Sequence, residues 1–360
     1  MKEKKIRKRT VRTVAALALT AVIAISTVAC SSSNAATKSD GSLKPVTIAL
    51  APSSPRPALT ILADKLGYYK DEGVEVNLVY LDQVGDIISS METGKVDQSA
   101  LAITPYLTSI ANGSDFTIYG GTAYEGESLL TKAENVDYYK DLSHLAGKKI
   151  ATVRSSTGEI LTRAHLKAAG VDIENGYELV EFTSYPAIVE AIASGNVDAG
   201  YVINELLDSA QSRGLGQVYN IGQLEPQYVC CRQTVKTSSL TENREAYVRV
   251  LKANLRAYKF WKENQDETVK ILAEYTGQTE DYIRNIIYNI NATFTVDPNK
   301  NSVVKYYNLL KEYKYINSDV KIEDHIDTTV YKDALTQTIE ENPNDEIYKQ
   351  LWTDYEKNDL

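Results

Sequence analysis

Ser155, Ser156, Thr157 and Gly158 gather three hydroxyls at a glycine. Such a run can hydrogen-bond an anion or a polar head group. The flanks place it. Residues 148–153 are rich in β-branched types and read as a short buried strand. Residues 159–169 put Ile160, Leu161, Ala164, Leu166 and Ala168 at helical spacing, and Gly170 ends the helix. A strand, a polar turn and a helix start offer free backbone N–H groups and the positive end of a helix dipole. The same hydroxyls also serve as helix caps, so the local sequence allows both uses.

Other reactive side chains are sparse. His144, His165 and His325 are far apart and have no metal-ligand spacing. Cys230 and Cys231 are adjacent and cannot staple distant segments. A reduced packed pair, a vicinal disulfide and a ligand contact all fit them. No phosphate-binding Walker loop, nucleophile elbow or paired-cysteine metal site occurs. No cofactor or metal is expected.

Stepping outward, residues 46–51 form a first strand, followed by the rigid loop Pro52-Ser53-Ser54-Pro55-Arg56-Pro57. Helix 58–66, strand 74–81, helix 83–91, a short strand ending near 103, helix 104–111 and strand 116–123 continue the scheme. The middle of the chain repeats it with strand 178–182, helix 187–193, strand 198–202 and helix 204–211. Alternation at this spacing predicts mostly parallel sheets covered by helices. Gly94, Val96, Asp97 and Gly113 match Gly195, Val197, Asp198 and Gly214 at a constant offset of 101. This internal similarity suggests two related α/β lobes. From about residue 241 the pattern is helical, and many of the 25 tyrosines lie there. Tyr306, Tyr307, Tyr313 and Tyr315 are read as packing residues.

Residues 1–12 are strongly basic, and residues 13–29 are apolar and uncharged. This pattern is that of a signal peptide. Thr27-Val28-Ala29-Cys30 resembles a bacterial lipobox, in which the cysteine receives a diacylglycerol; Thr27 stands where Leu is usual. Residues 30–44 read as a tether. Of 39 basic and 48 acidic residues, residues 1–29 hold seven and one, so the remainder carries a net −15. An acidic surface of this kind disfavours nucleic acid.

Several segments together resemble the solute-binding lipoproteins of ABC importers in the nitrate, sulfonate, taurine and thiamin-pyrimidine group. They are residues 46–57, Leu66-Gly67-Tyr68-Tyr69-Lys70-Asp71-Glu72-Gly73-Val74, Gly94-Lys95-Val96-Asp97, residues 147–170, residues 191–199, and Tyr228-Val229-Cys230-Cys231-Arg232-Gln233. The resemblance implies an α/β, two-lobed, periplasmic-binding-protein-like (type II) fold with a helical C-terminal extension. It implies lobe one at 45–128 and 232–360 and lobe two at 129–231, with chain crossings near 128–132 and 227–231.

It further implies a monomeric binding protein that performs no chemistry. The protein would be lipid-anchored through Cys30 on the extracytoplasmic face and would deliver a small solute to a membrane permease. Candidate ligand contacts are Ser53, Ser54, Arg56, Gln83, Thr104, Thr122, Ser155, Ser156, Thr157, Gly158, Glu159, Tyr185, Asn204, Glu205 and Arg232. Arg56 and Arg232 would suit an anion, whereas Glu159 and Glu205 would suit the amino groups of a pyrimidine. The alternatives are a pyrimidine-synthesising enzyme of the same superfamily, whose members use a cysteine-rich motif with iron, and a solute-sensing surface receptor.

Overall fold

Eleven strands are distributed over two sheets in the computed structural model, which describes residues 43–154, 156–289 and 293–360. In chain order they are β1 (Val46–Leu50), β2 (Val76–Tyr80), β3 (Gln98–Ala102), β4 (Phe116–Tyr124), β5 (Glu127–Lys132) and β6 (Lys149–Val153). β7 (Glu178–Phe182), β8 (Ala199–Ile203), β9 (Leu215–Asn220), β10 (Val229–Lys236) and β11 (Thr293–Phe294) follow. The expected signal peptide, Cys30, most of the tether and Ser155 lie outside the described residues. Leu43–Leu360 forms one compact unit.

The first sheet has the order β11-β4-β10-β3-β1-β2, and the second β7-β6-β8-β5-β9. β1 pairs in parallel with β2 and β3, as β6 does with β7 and β8. β1 is buried along nearly its whole length because helices cover the parallel part of the sheet on both sides. Both sheets are mixed, however, and not mostly parallel. β10 runs antiparallel between β3 and β4, and β5 antiparallel between β8 and β9. The chain enters these two strands from the other half of the molecule, so each meets its neighbours head to tail. The segments read as crossings are therefore full strands near the middle of the sheets.

The offset similarity has a structural counterpart. β2-β1-β3-β10-β4 and β7-β6-β8-β5-β9 correspond strand for strand. Gly94 and Gly195 both adopt positive φ, 72° and 76°, after the helices Val84–Glu92 and Tyr185–Ala193. Left-handed backbone of this kind suits glycine because no Cβ clashes. Lys236, the last residue of β10, lies beside Gly94, and Lys132, the last of β5, lies beside Gly195.

One core cluster joins β1 to helices Ala58–Lys65, Arg244–Glu263 and Thr329–Glu341. A second draws on both sheets, with Ile103, Tyr106, Leu129, Ile150, Ile160 and Tyr201 packed with Tyr306 and Leu310 of helix Lys300–Glu312. Fully burying one such side chain contributes about 1.5–3 kcal/mol. Tyr306 and Tyr307 are core residues, as their spacing suggested. Helix Lys300–Glu312 and the loop after it touch both halves. Tyr306 bonds Thr104 at 2.9 Å, Tyr315 bonds Glu159 at 3.1 Å, and Lys167 meets Glu312 at 3.2 Å.

Candidate functional site

The loops after β1, β3, β6 and β8 converge on a cavity of about 780 Å³. This lies within the roughly 300–1,000 Å³ typical of small-molecule sites. The first half contributes Ser54, Arg56, Val84, Ile88, Leu101, Thr104 and Pro105; the second contributes Val153, Arg154, Ser156, Thr157, Tyr185 and Ile203. The crossing strands add Glu127 from β5 and Cys230 and Cys231 from β10.

Glu127 was not anticipated from the sequence, and it occupies the position expected for an anionic ligand. Its carboxylate accepts from Ser156 Oγ at 3.0 Å, from the Gly158 amide and from Tyr185 Oη at 2.9 Å. It thereby fills the N-terminus of helix Thr157–Ala168. A β-carbon on Gly158 would lie 2.5 Å from Glu127 Oε2, so glycine makes the close approach possible. Ser156 also accepts from the Glu159 amide at 3.2 Å and caps the helix. Burial, with Glu127 nearby, pushes the Tyr185 hydroxyl far above the usual phenol range and keeps it a neutral donor.

Arg56 is the opposite charge. Its Nε and Nη2 bond the two oxygens of Glu205 at 2.7 Å each, a bidentate pair joining the loop after β1 to the turn after β8. Nη2 also donates to the Gly126 carbonyl at 3.1 Å, and Nη1 lies 3.3 Å from Cys230 Sγ. Gly126 has φ of 102°, and a β-carbon there would come within 2.6 Å of the guanidinium. Burial works against the arginine charge, but Glu205 and the two cysteines outweigh it and hold the cation firmly protonated. Arg154, at the exposed edge, pairs with Glu181 at 3.0 Å. Every charged side chain lining the cavity among the described residues thus has a partner in the protein.

Cys230 and Cys231 are free and buried, with their sulfurs 3.2 Å apart. Neighbours in a regular strand point to opposite faces. A register shift in the β10–β4 pairing breaks that alternation between Val229 and Arg232, and both thiols line the cavity. Bulges re-aim side chains in this way. Among the described residues, no group of three or more His, Cys, Asp or Glu is gathered to hold a metal.

The sequence candidates therefore separate. Ser54, Arg56, Thr104, Ser156, Thr157 and Tyr185 line the cavity. Gly158 and Glu205 sit one bond behind it, through Glu127 and Arg56. Asn204 is buried and accepts from Ser128 at 2.6 Å. The remaining five described candidates take other places. Ser53 is exposed in a separate depression with Lys65 and Tyr80, and Gln83 is exposed at the start of helix Val84–Glu92. Thr122 is buried within β4, and Glu159 binds Arg163 and Tyr315. Arg232, the fifth, is fully buried; it donates to the carbonyls of Pro298, Ala123 and Cys231 and lies 4.7 Å over the Tyr124 ring. It is a structural cation facing away from the cavity. Thr104 is also engaged, since its hydroxyl meets Tyr306.

Two α/β sheets of matching order, a solute-sized cavity at their strand ends and a helical C-terminal extension define the two-lobed periplasmic-binding-protein-like fold. The periplasmic aliphatic sulphonate-binding protein of Escherichia coli matches with a TM-score of 0.67 at 17% identity, over 79% of this chain and 92% of that one. The periplasmic nitrate-binding protein of Synechocystis PCC 6803 matches with 0.66 at 14% identity, over 82% and 89%. The NMT1/THI5-like family model matches residues 54–268, and the chain belongs to that family. It is also similar to a 4-amino-5-hydroxymethyl-2-methylpyrimidine phosphate synthase of Aspergillus parasiticus. That similarity is 25% identity over 244 residues, 64% of this chain and 67% of that one.

Proposed function

We propose that this chain is the extracytoplasmic solute-binding lipoprotein of an ABC importer, and that its solute is an amino-bearing heterocycle of the aminopyrimidine type. The observation that carries the ligand class is the internal pairing of the cavity's charges. Glu127 takes the Gly158 amide and the Ser156 hydroxyl at the helix N-terminus and Glu205 neutralises Arg56, so among the described residues these groups are already engaged before an anion such as nitrate or a sulfonate arrives. A carboxylate has about four lone-pair sites. Glu127 uses three of them on Ser156, Gly158 and Tyr185, leaving one acceptor for an N–H of the solute. Val84, Ile88, Leu101 and Ile203 offer apolar walls for a ring.

In this reading residues 45–128 with 232–360 and residues 129–231 are the closing lobes, and no bond of the solute is made or broken. Solute binds to one lobe, and rotation adds the contacts of the other. A membrane permease receives it from the closed form. Cys30 carries the lipid that keeps the protein at the membrane; among the described residues no helix is long and apolar enough to cross one. Ser155 joins Ser54, Ser156 and Thr157 as a polar contact.

The test is a thermal-shift series on the full chain with nitrate, taurine, an alkanesulfonate and a 4-aminopyrimidine, with the solutes recovered afterwards. A ligand at 100 times its Kd stabilises by about 2.7 kcal/mol. The aminopyrimidine should raise the Tm and come back unchanged, while the anions leave it in place. Stabilisation by the anions alone would falsify the ligand class. A chemically altered solute would instead favour the second reading, an enzyme of pyrimidine synthesis, which the name of the 25% identical relative supports.

A further inference from the structure

The thiols of β10 have a geometry that solute capture does not use. The bulge brings two neighbouring side chains to one face, 3.2 Å apart, inside a cavity with room for a small molecule. Most adjacent cysteines in a strand are kept apart by the pleat. Here the backbone irregularity removes that separation. Arg56 Nη1, 3.3 Å from Cys230 Sγ, supplies positive charge beside the pair.

We propose that Cys230 and Cys231 form a dithiol modification site, which a small organic disulfide entering the cavity oxidises to a vicinal disulfide. The Cys231 thiol is pulled below its usual range by the hydrogen bond from Cys230, against burial, with Arg56 and Arg232 helping. Cys230 is pushed up by the same hydrogen bond and by burial, so it is the proton-bearing partner. The thiolate is the attacking species in exchange.

The order of events follows. Cys231 thiolate attacks one sulfur of the small disulfide, forming a mixed disulfide and releasing one small thiolate. Cys230 gives up its proton, and its sulfur attacks Cys231 Sγ and expels the second thiolate. The two protons lost by the cysteines end on the two small thiols, and the disulfide has been reduced by two electrons. The protein sulfurs close from 3.2 Å to the roughly 2.05 Å of an S–S bond. Excess small thiol reverses the exchange. The proposal concerns the cavity's own thiols and stands whichever solute the cavity takes.

The experiment treats the folded full chain with 2-hydroxyethyl disulfide, quenches in acid and maps the peptides by mass, with Cys30 followed on its own peptide. The peptide carrying Cys230 and Cys231 should lose two hydrogens and keep no adduct. Cys230→Ser should instead hold the small thiol on Cys231, and Cys231→Ser should react more slowly, at Cys230. The proposal is overturned if both thiols survive the treatment and are alkylated only after unfolding. It is equally overturned if the unaltered chain accumulates the mixed disulfide without closing the internal bond.

Discussion

In the first sheet, Asp97 accepts the Thr47 amide at 2.9 Å; in the second, Asp198 accepts the Lys149 amide at 2.8 Å. Each aspartate follows a left-handed glycine and a buried valine, and they tie the start of β3 to β1 and the start of β8 to β6. The two halves differ at the other end of those strands. The loop after β1 carries a cation, Arg56, and helix Ala58–Lys65 behind it has no side-chain cap. The turn after β6 carries hydroxyls and is closed by a carboxylate, Glu127, delivered by the crossing strand. A shared frame therefore presents opposite charges across one cavity, and each is answered from within the protein.

The largest effect is expected where that contrast is removed. Glu127→Ala leaves the Gly158 amide, Ser156 and Tyr185 without their acceptor. Leaving a buried donor without its acceptor costs about 1–3 kcal/mol, and three donors are stranded here, so the Tm falls. The freed helix N-terminus should then accept an anion. Sulfate or a sulfonate should raise the variant's Tm while leaving the unaltered protein's in place. A variant that loses stability and gains no anion response would show that the helix end is not an anion site in either state.

Next is the ion pair across the cavity. Arg56→Met and Glu205→Gln should each cost about 2–3 kcal/mol in urea unfolding, and the double variant should cost less than their sum. Additive losses would mean that the pair does not couple the halves.

A third test concerns a buried carboxyl beside the first sheet. Burial and the neighbouring Asp297 carboxylate push the Asp359 carboxyl up to about 8. Its site also faces Arg232, Tyr331 and the Lys300 amide, which it accepts at 2.7 Å. An unfolded aspartate titrates near 3.9, so the folded state holds the extra proton between those values. Stability should accordingly fall as pH rises from about 4 to about 8, then level off. Asp359→Asn should flatten the decline in a Tm series; an unchanged slope would assign it to other groups, among them Glu159, which burial also raises.

The smallest effect is the most direct check of the repeat. Asp97→Ala and Asp198→Ala should each cost about 1–2 kcal/mol and add in combination. Asp97 also accepts from Ser239 at 3.2 Å, so its loss should be slightly the greater. A large disparity would make the matching glycines and aspartates a resemblance of turns only.

Much of the frame was legible because it rests on local signals. Alternating β-branched runs, helical periodicity and left-handed glycines placed most strands and helices within two or three residues. β9 was missed, since Leu215–Asn220 interrupts its apolar positions with Gly216 and Gln217. The cavity was harder. Positions at strand ends could be named, but which way a side chain turns depends on pairing and bulges, as Gln83 and Arg232 show. Glu127 stands one residue before the expected crossing at 128–132 and was not singled out. Its importance comes from Ser156, Gly158 and Tyr185, up to 58 residues away in sequence. The shared face of Cys230 and Cys231 depends on a register shift that no spacing encodes.

The position of β10 has a consequence for how the chain matures. The second sheet draws all five strands from residues 127–220, one continuous stretch. The first lacks its middle strand until Val229–Lys236 has been made, and Gln98 bonds Gln233 across a separation of 135 residues. On a ribosome, or while emerging through a membrane, the later sheet is ready before the earlier one. β3 and β4 meanwhile carry open edges, the kind of surface on which other chains add strands. A chain broken off after residue 224 would hold one finished sheet and one unfinished. The N-terminal half thus depends for its completion on the arrival of a strand synthesised after the whole of its counterpart.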